Sequence, residues 1–264
     1  ANHPFLRIDG WKPLDQLKKG DAIALPRKTT ARQPQKLLSD NELMLLAHLL
    51  GDGCILPKQP YHYTSGDWEN IETVQKAAKE LFGIEGRVII QKNWWHLYLP
   101  SPYPLARSTT HPITQWYQKL GIQAVRSWQK RIPDKLFQLP PADIALFLRH
   151  LWATDGNLSW KKLRGRKKIG AIYYASSSEL LASQVQQLLL VLGIQSSLRK
   201  SPSAKAYRDM YHVHIEGAEE QLKFCEHVGI SGSRRVIIPE LIAALQEIEQ
   251  NKNVDIIPAA VWKT

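Results

Sequence analysis

A chain of 264 residues, 44% of them hydrophobic, is long enough for two modest units, each with its own core. Its formal charge of +11 favours a polyanionic partner, nucleic acid first, over a role for Lys and Arg in solubility alone. Only two cysteines, Cys54 and Cys225, argue against a disulfide scaffold, and no apolar run approaches the ~20 residues of a membrane span, so a cytoplasmic protein without membrane contact is expected.

Residues 1–28 differ in kind from the rest. Residues 5–8 and 22–25 read as short strands, with turns at Asp9-Gly10-Trp11 and Lys19-Gly20-Asp21. Residues 29–38 are a polar linker. A helix starts near Ser39-Asp40, with Ser39 as N-cap and Glu42 three residues on, and runs to Asp52. Residues 54–58 and 61–64 then read as a hairpin, 70–82 as a helix, 87–91 and 94–99 as a second hairpin. In the last strand Trp95, Leu97 and Leu99 share a greasy face; Trp94, His96 and Tyr98 share the other. A helix after His111-Pro112 runs to Leu120. The same order returns in the second half. Residues 141–155 read as a helix, the stretches around Leu158 and over 169–176 as strands, and 178–192 as a helix. Strands at 196–200 and 210–215 follow, then a helix over 218–228. Residues 239–264 add a helix over 240–249 and a tail.

Two stretches carry the chemistry. Leu45-Leu46-Ala47-His48-Leu49-Leu50-Gly51-Asp52-Gly53 and Phe147-Leu148-Arg149-His150-Leu151-Trp152-Ala153-Thr154-Asp155-Gly156 are both apolar helices ending in Asp-Gly. The glycines suit a left-handed helix stop. The acids do not suit a helix C-terminus, where the macrodipole favours a cation. A bound cation is the natural compensation. Ala47 and Gly51 leave one helix face small, and His150 and Thr154 occupy the matching positions of the other. Close packing there brings Asp52 and Asp155 together. Each motif is followed by two segments ending in Gly-Ile, at Gly83-Ile84 and Gly121-Ile122, then Gly193-Ile194 and Gly229-Ile230. Each half closes on a basic run before proline, Lys130-Arg131-Ile132-Pro133 and Arg234-Arg235-Val236-Ile237-Ile238-Pro239. One unit of about a hundred residues has been used twice.

Over residues 40–240 these motifs resemble the paired motifs of double-motif LAGLIDADG homing endonucleases. The resemblance implies an α+β fold of two pseudo-symmetric αββαββα units, residues 39–140 and 141–238. It implies a staggered double-strand cut across the minor groove of a long, non-palindromic DNA duplex, made by a monomer. Asp52 and Asp155 become metal ligands, with the carbonyls of Gly51 and Thr154 as further candidates, because the last carbonyls of a helix lack internal partners. Oxygen ligands of this kind suit Mg²⁺ or Mn²⁺, with Ca²⁺ as a non-catalytic substitute. Lys130 is the candidate for polarising the attacking water, and Arg235 stands near the matching place. His150 departs from the family's usual glycine. Each half is expected to lay a four-stranded sheet along the major groove. Lys161, Lys162, Arg164, Arg166, Lys167 and Lys168 crowd one hairpin tip and are expected on DNA phosphates. Lys58, Arg87, Lys92, Arg199, Lys200, His212 and His214 are further DNA-facing candidates.

Residues 1–28 resemble part of the β-rich splicing (Hint) domain of inteins inserted in replicative helicases, in which the histidine matching His3 assists the first acyl shift. Splicing also needs a nucleophile at the intein's first residue and a terminal His-Asn pair, so a splicing-incompetent remnant is expected. Residues 253–258 resemble the region that follows the nuclease in such inteins. Two other classes compete: a non-catalytic, maturase-like nucleic-acid binder on the same fold, and a fragment of a full splicing element. Gly170-Ala171-Ile172-Tyr173-Tyr174 resembles a Gly-Ile-Tyr nuclease motif but lacks its partner motif and reads as a strand. His212-Val213-His214 lacks a third metal ligand nearby in sequence.

Overall fold

The structure is a computed structural model that describes residues 2–29, 33–56, 59–161, 169–203 and 208–248. The chain opens with a hairpin of β1 (Pro4–Arg7) and β2 (Gly10–Pro13), with Leu6 opposite Trp11. The tight turn places Gly10 at φ 110°, a conformation that favours glycine. This corrects the expectation of a strand at 22–25. Ile8-Asp9 closes a two-stranded ribbon locally, and the later segment meets β1 through the Ala24 N–H to Leu6 O bond at 2.8 Å without pairing as a strand.

The first unit runs α1 (Asp40–Asp52), β3 (Gly53–Cys54), β4 (His62–Ser65), α2 (Trp68–Phe82), β5 (Arg87–Ile90), β6 (Trp95–Tyr98) and α3 (Pro112–Leu120). The second runs α4 (Pro141–Asp155), β7 (Gly156–Lys161), β8 (Ile169–Ser176), α5 (Glu179–Val191), β9 (Ser197–Ser201), β10 (Met210–Ile215) and α6 (Ala218–His227). A last helix, α7 (Ile238–Gln246), packs on α6. Each unit builds one antiparallel four-stranded sheet, in the order β3-β4-β6-β5 and β7-β8-β10-β9. The αββαββα plan is thus present twice.

Local sequence explains most of these boundaries. Ser39 and Glu42 form a full capping box at the start of α1, Ser39 N–H donating to Glu42 Oε2 at 2.8 Å. The four Gly-Ile pairs mark four helix stops, their glycines all at positive φ. In β6, Leu97 is fully buried while His96 and Tyr98 turn to the other side of the sheet. The glycines after the two acids behave differently. Gly53 and Gly156 are extended, at φ −85° and −82°. They are demanded by space, because a Cβ would fall 2.5 Å from Leu49 O and 2.4 Å from Trp152 O.

One apolar core runs through both units, with α1 and α4 side by side at its centre. Leu45, Leu46, Leu49, Phe147, Leu148 and Leu151 are all fully buried there. At the C-terminal end of the pair a Cβ on Gly51 would fall 2.1 Å from Thr154 Oγ1. The missing side chain sets how closely the helices approach. Gly51→Ala is therefore expected to lower stability by about 1–3 kcal/mol through overpacking. Thr154→Gly in the same chain should recover part of that loss, as read by chemical denaturation.

Candidate active site

The two motif helices end at the mouth of one cleft of about 240 Å³, whose lining includes Gly51, Asp52, Ser127, Lys130, Asp155 and Ser176. Asp52 and Asp155 reach solvent here, with protein packed closely around them. Burial, then the neighbouring Asp155, pushes the Asp52 carboxyl up to about 7. Burial raises Asp155 as well, and Lys130 and Arg234 hold both acids partly down. The predicted juxtaposition of the two acids is present.

The positive charge demanded by these helix ends comes from the protein. Lys130 Nζ, only 7% exposed as a residue, donates to Gly51 O at 2.7 Å and to Gly53 O at 3.0 Å. An ammonium carries three N–H donors, so one remains for the cleft. In the second unit the guanidinium of Arg234 donates to Gly156 O at 2.7 Å, Ala153 O at 2.6 Å and Trp152 O at 3.4 Å. Each cation caps its own unit's motif helix at the negative end of the dipole. Arg235 does not take this place. Its guanidinium pairs with Glu69 and with Gly232 O. Arg234 is the counterpart of Lys130; Lys130 lies three residues before Pro133 whereas Arg235 lies four before Pro239, and that mismatch was the signal that the pairing with Arg235 was ambiguous.

The carbonyl of Gly51 thus already accepts a hydrogen bond, while that of Thr154 is not among Arg234's acceptors. Two carboxylates beside helix-end carbonyls form an all-oxygen donor set, which fits a hard divalent cation. Among the described residues no cluster of three or more His, Cys, Asp and Glu side chains could hold a metal, so carbonyl, water or substrate oxygens would complete its shell.

Four residues before Asp52 lies a residue that reading for acids overlooked. His48 is fully buried; its Nε2 lies 3.0 Å from His150 Nδ1 and its Nδ1 lies 2.9 Å from Tyr63 Oη. His150 therefore joins the two units through a hydrogen bond. Burial drives His48 well below the usual imidazole range and His150 down to about 4. A polar residue inside each apolar motif was the available signal.

The other candidates are spread over the two sheets. His212 and His214 stand on β10 with rings 5.8 Å apart, beside Tyr173 of β8. The first sheet matches them with His62, His96 and Tyr98, where His96 lies 4.4 Å from each of the other two rings. His62 and Tyr173 were absent from the sequence-derived set. Arg87 lies over Tyr98 at 5.0 Å, and Lys92 is exposed between β5 and β6. Arg199 and Lys200 pair with Glu216 and Asp209. His3 is exposed, edge-on to Phe5, and far in sequence from the cleft residues. Lys58, Lys162, Arg164, Arg166, Lys167 and Lys168 lie outside the described residues, as does the side chain of Lys161.

The buried histidines give this region a pH signature. A folded-state pKa below the unfolded value means that the unfolded chain binds the extra proton first. The histidine contribution to stability is then full above about pH 6.5 and is lost as pH falls toward about 4, by on the order of 3 kcal/mol for His150. Asp52, raised to about 7, acts in the opposite sense over the same range, so the histidine contribution is read as the difference between wild type and His150→Asn in denaturation curves, wild type losing more stability toward pH 4 than the variant.

Residues 142–229 match the LAGLIDADG-like domain family. The whole chain is 42% identical to part of the replicative DNA helicase DnaB of Synechocystis sp. and 27% identical over 95% of its length to part of the RecA protein of Mycobacterium bovis. It spans about 30% of the first and 32% of the second. Among solved structures, I-DmoI in complex with DNA and Ca superposes with a TM-score of 0.51 at 12% identity, over 76% of this chain and 97% of that one. With two acid-ended helices side by side and the αββαββα plan repeated, the chain has the fold of this homing endonuclease, and its second unit carries the match to the LAGLIDADG-like domain family.

Proposed function

We propose that this protein is a site-specific DNA endonuclease that makes a staggered double-strand break by metal-dependent phosphodiester hydrolysis. The observation that carries the reading is the pair of carboxylates, Asp52 and Asp155, at adjoining helix ends, each helix capped by a buried or half-buried cation. A divalent ion held there would supply Lewis-acid activation of water and of the scissile phosphate. Asp52 and Asp155 would hold it, with Thr154 O and Gly51 O as neighbouring donors. Lys130 keeps an N–H toward the cleft for the attacking water or a phosphate oxygen, and Arg234 offsets charge on the other side.

The partner is double-stranded DNA, and the net charge of +11 supports this choice. The open faces of the two sheets present His62, His96 and Tyr98 on one side and Tyr173, His212 and His214 on the other, a plan suited to reading base edges in the major groove. These sets match in place but not in identity, so one chain suits a long asymmetric site. A solved structure sharing the fold was crystallised with DNA and Ca, in keeping with divalent metal use. An origin as an inserted, intein-borne element is supported by likeness to segments within two differently named host proteins, a helicase and RecA.

Asp52→Asn and Asp155→Asn should each abolish double-strand cleavage while leaving DNA affinity in Ca²⁺ nearly unchanged, since each removes a metal ligand and eases repulsion with phosphate. Cleavage of both strands at the wild-type rate by either variant would show that the acids are kept for packing alone. Charge removal at Arg164, Arg166 and Lys167 should lower the slope of log K against log salt by about 0.9 for every phosphate no longer neutralised, in a binding titration.

A further inference from the structure

The backbone segments that carry the two active-site cations are each anchored by side chains of the opposite unit. The backbone of Lys130 is gripped by the second unit. Ser178, the buried N-cap of α5, donates its hydroxyl to Lys130 O at 2.7 Å. Gln184, further along α5, closes a two-way bond with Ile132: it accepts from Ile132 N–H at 2.7 Å and donates to Ile132 O at 3.1 Å. The Lys130 side chain then turns back to cap α1 of the first unit.

The mirror arrangement holds Arg234. Asp67, the N-cap of α2 in the first unit, uses Oδ1 for Glu69 N–H at 3.1 Å. Its Oδ2 accepts from Ser233 N–H at 2.7 Å and Ser233 Oγ at 2.8 Å. Gly232 makes this approach possible: it stands at φ 81°, and a Cβ there would fall 2.4 Å from Asp67 Oδ2. Arg234 then turns back to cap α4 of its own unit.

We propose that Ser178, Gln184 and Asp67 are positioning residues that set each unit's active-site cation from the opposite unit, so that the cation serving each strand cut depends on the other unit through this reciprocal clamp. The physical reason is that neither cation-bearing segment lies in a helix or a strand of the sheets. Lys130 and Arg234 follow or lie within short 3-10 turns, and a side chain aimed from such a segment is only as precise as the anchors of its backbone. Two of the three anchors, Ser178 and Asp67, are N-cap side chains already fixed by their helices, so one hydroxyl or carboxylate both starts a helix and sets a cation. Displacement of a transition-state donor by a fraction of an ångström costs rate far more than ground-state affinity.

The role of each cation in one strand cut rests on the endonuclease reading, but the clamp can be tested without cleavage. Ser178→Ala and Gln184→Met remove the grip on the Lys130 segment. Asp67→Asn leaves one amide oxygen to serve both Glu69 and Ser233, which loosens the Arg234 segment. In metal-free, DNA-free protein, acetylation of Lys130 followed by mass spectrometry should quicken several-fold in Ser178→Ala and Gln184→Met. It should stay at the wild-type rate in Asp67→Asn and in Ser178→Thr, which keeps the hydroxyl. Single-turnover nicking of a duplex labelled on each strand gives the second readout. Gln184→Met should slow one strand about tenfold more than the other, and Asp67→Asn should reverse that bias, with duplex Kd within about twofold of wild type. Unchanged Lys130 acetylation in Ser178→Ala and Gln184→Met overturns the clamp. Equal slowing of both strands by each variant overturns the assignment of one cation to each strand cut. A wild-type protein that cuts neither strand defeats the endonuclease reading alone, and the acetylation result still decides the clamp.

Discussion

Everything in this molecule depends on how closely α1 and α4 pack. Gly51 faces Thr154 with no room for a single added carbon, and the helices run together through a fully buried core. That contact brings two acid-bearing helix ends to one cleft. It also joins the two repeated units in one core, with apolar residues of both helices buried along the contact. The histidine bond across the same contact is a polar exception within that core. His48, His150 and Tyr63 satisfy one another, which is the condition under which buried polar groups are tolerated.

Placing an acid at the end of a helix creates an electrostatic problem that the fold answers directly. Two carboxylates, two negative dipole ends and partial burial all raise the cost of ionising Asp52 and Asp155. Lys130 and Arg234 offset it by bonding the terminal carbonyls themselves. Burial lowers the Lys130 pKa while the two acids raise it, so the charges of the cleft are mutually dependent. The arrangement leaves the carboxylate oxygens facing the opening, where a hard cation would find them.

The two units are symmetric in backbone and asymmetric in surface. Lysine in one corresponds to arginine in the other, and aspartate at one N-cap to serine at the other. Trp128, two residues before Lys130, lies under Arg208 at 3.4 Å, whereas Gly232 stands two residues before Arg234. Duplication within one chain permits such divergence, because each half answers to its own half of the environment.

The sequence by itself determined the repeat, the helices and their caps, the alternation of the sheets and the pairing of the two acids. These are written in local periodicity and in glycine, proline and N-cap residues, whose effects act within a turn or a strand. It left open which of two adjacent arginines reaches the cleft, since neighbouring side chains differ by a rotation that only the docked backbone fixes. It gave a wrong reason for Gly53 and Gly156, because local rules see φ and not the carbonyl four residues back. It missed the His48–His150 bond and the reciprocal anchoring by Asp67, Ser178 and Gln184. Those bonds join residues from 48 to 166 positions apart, and only tertiary packing brings such groups within hydrogen-bonding distance.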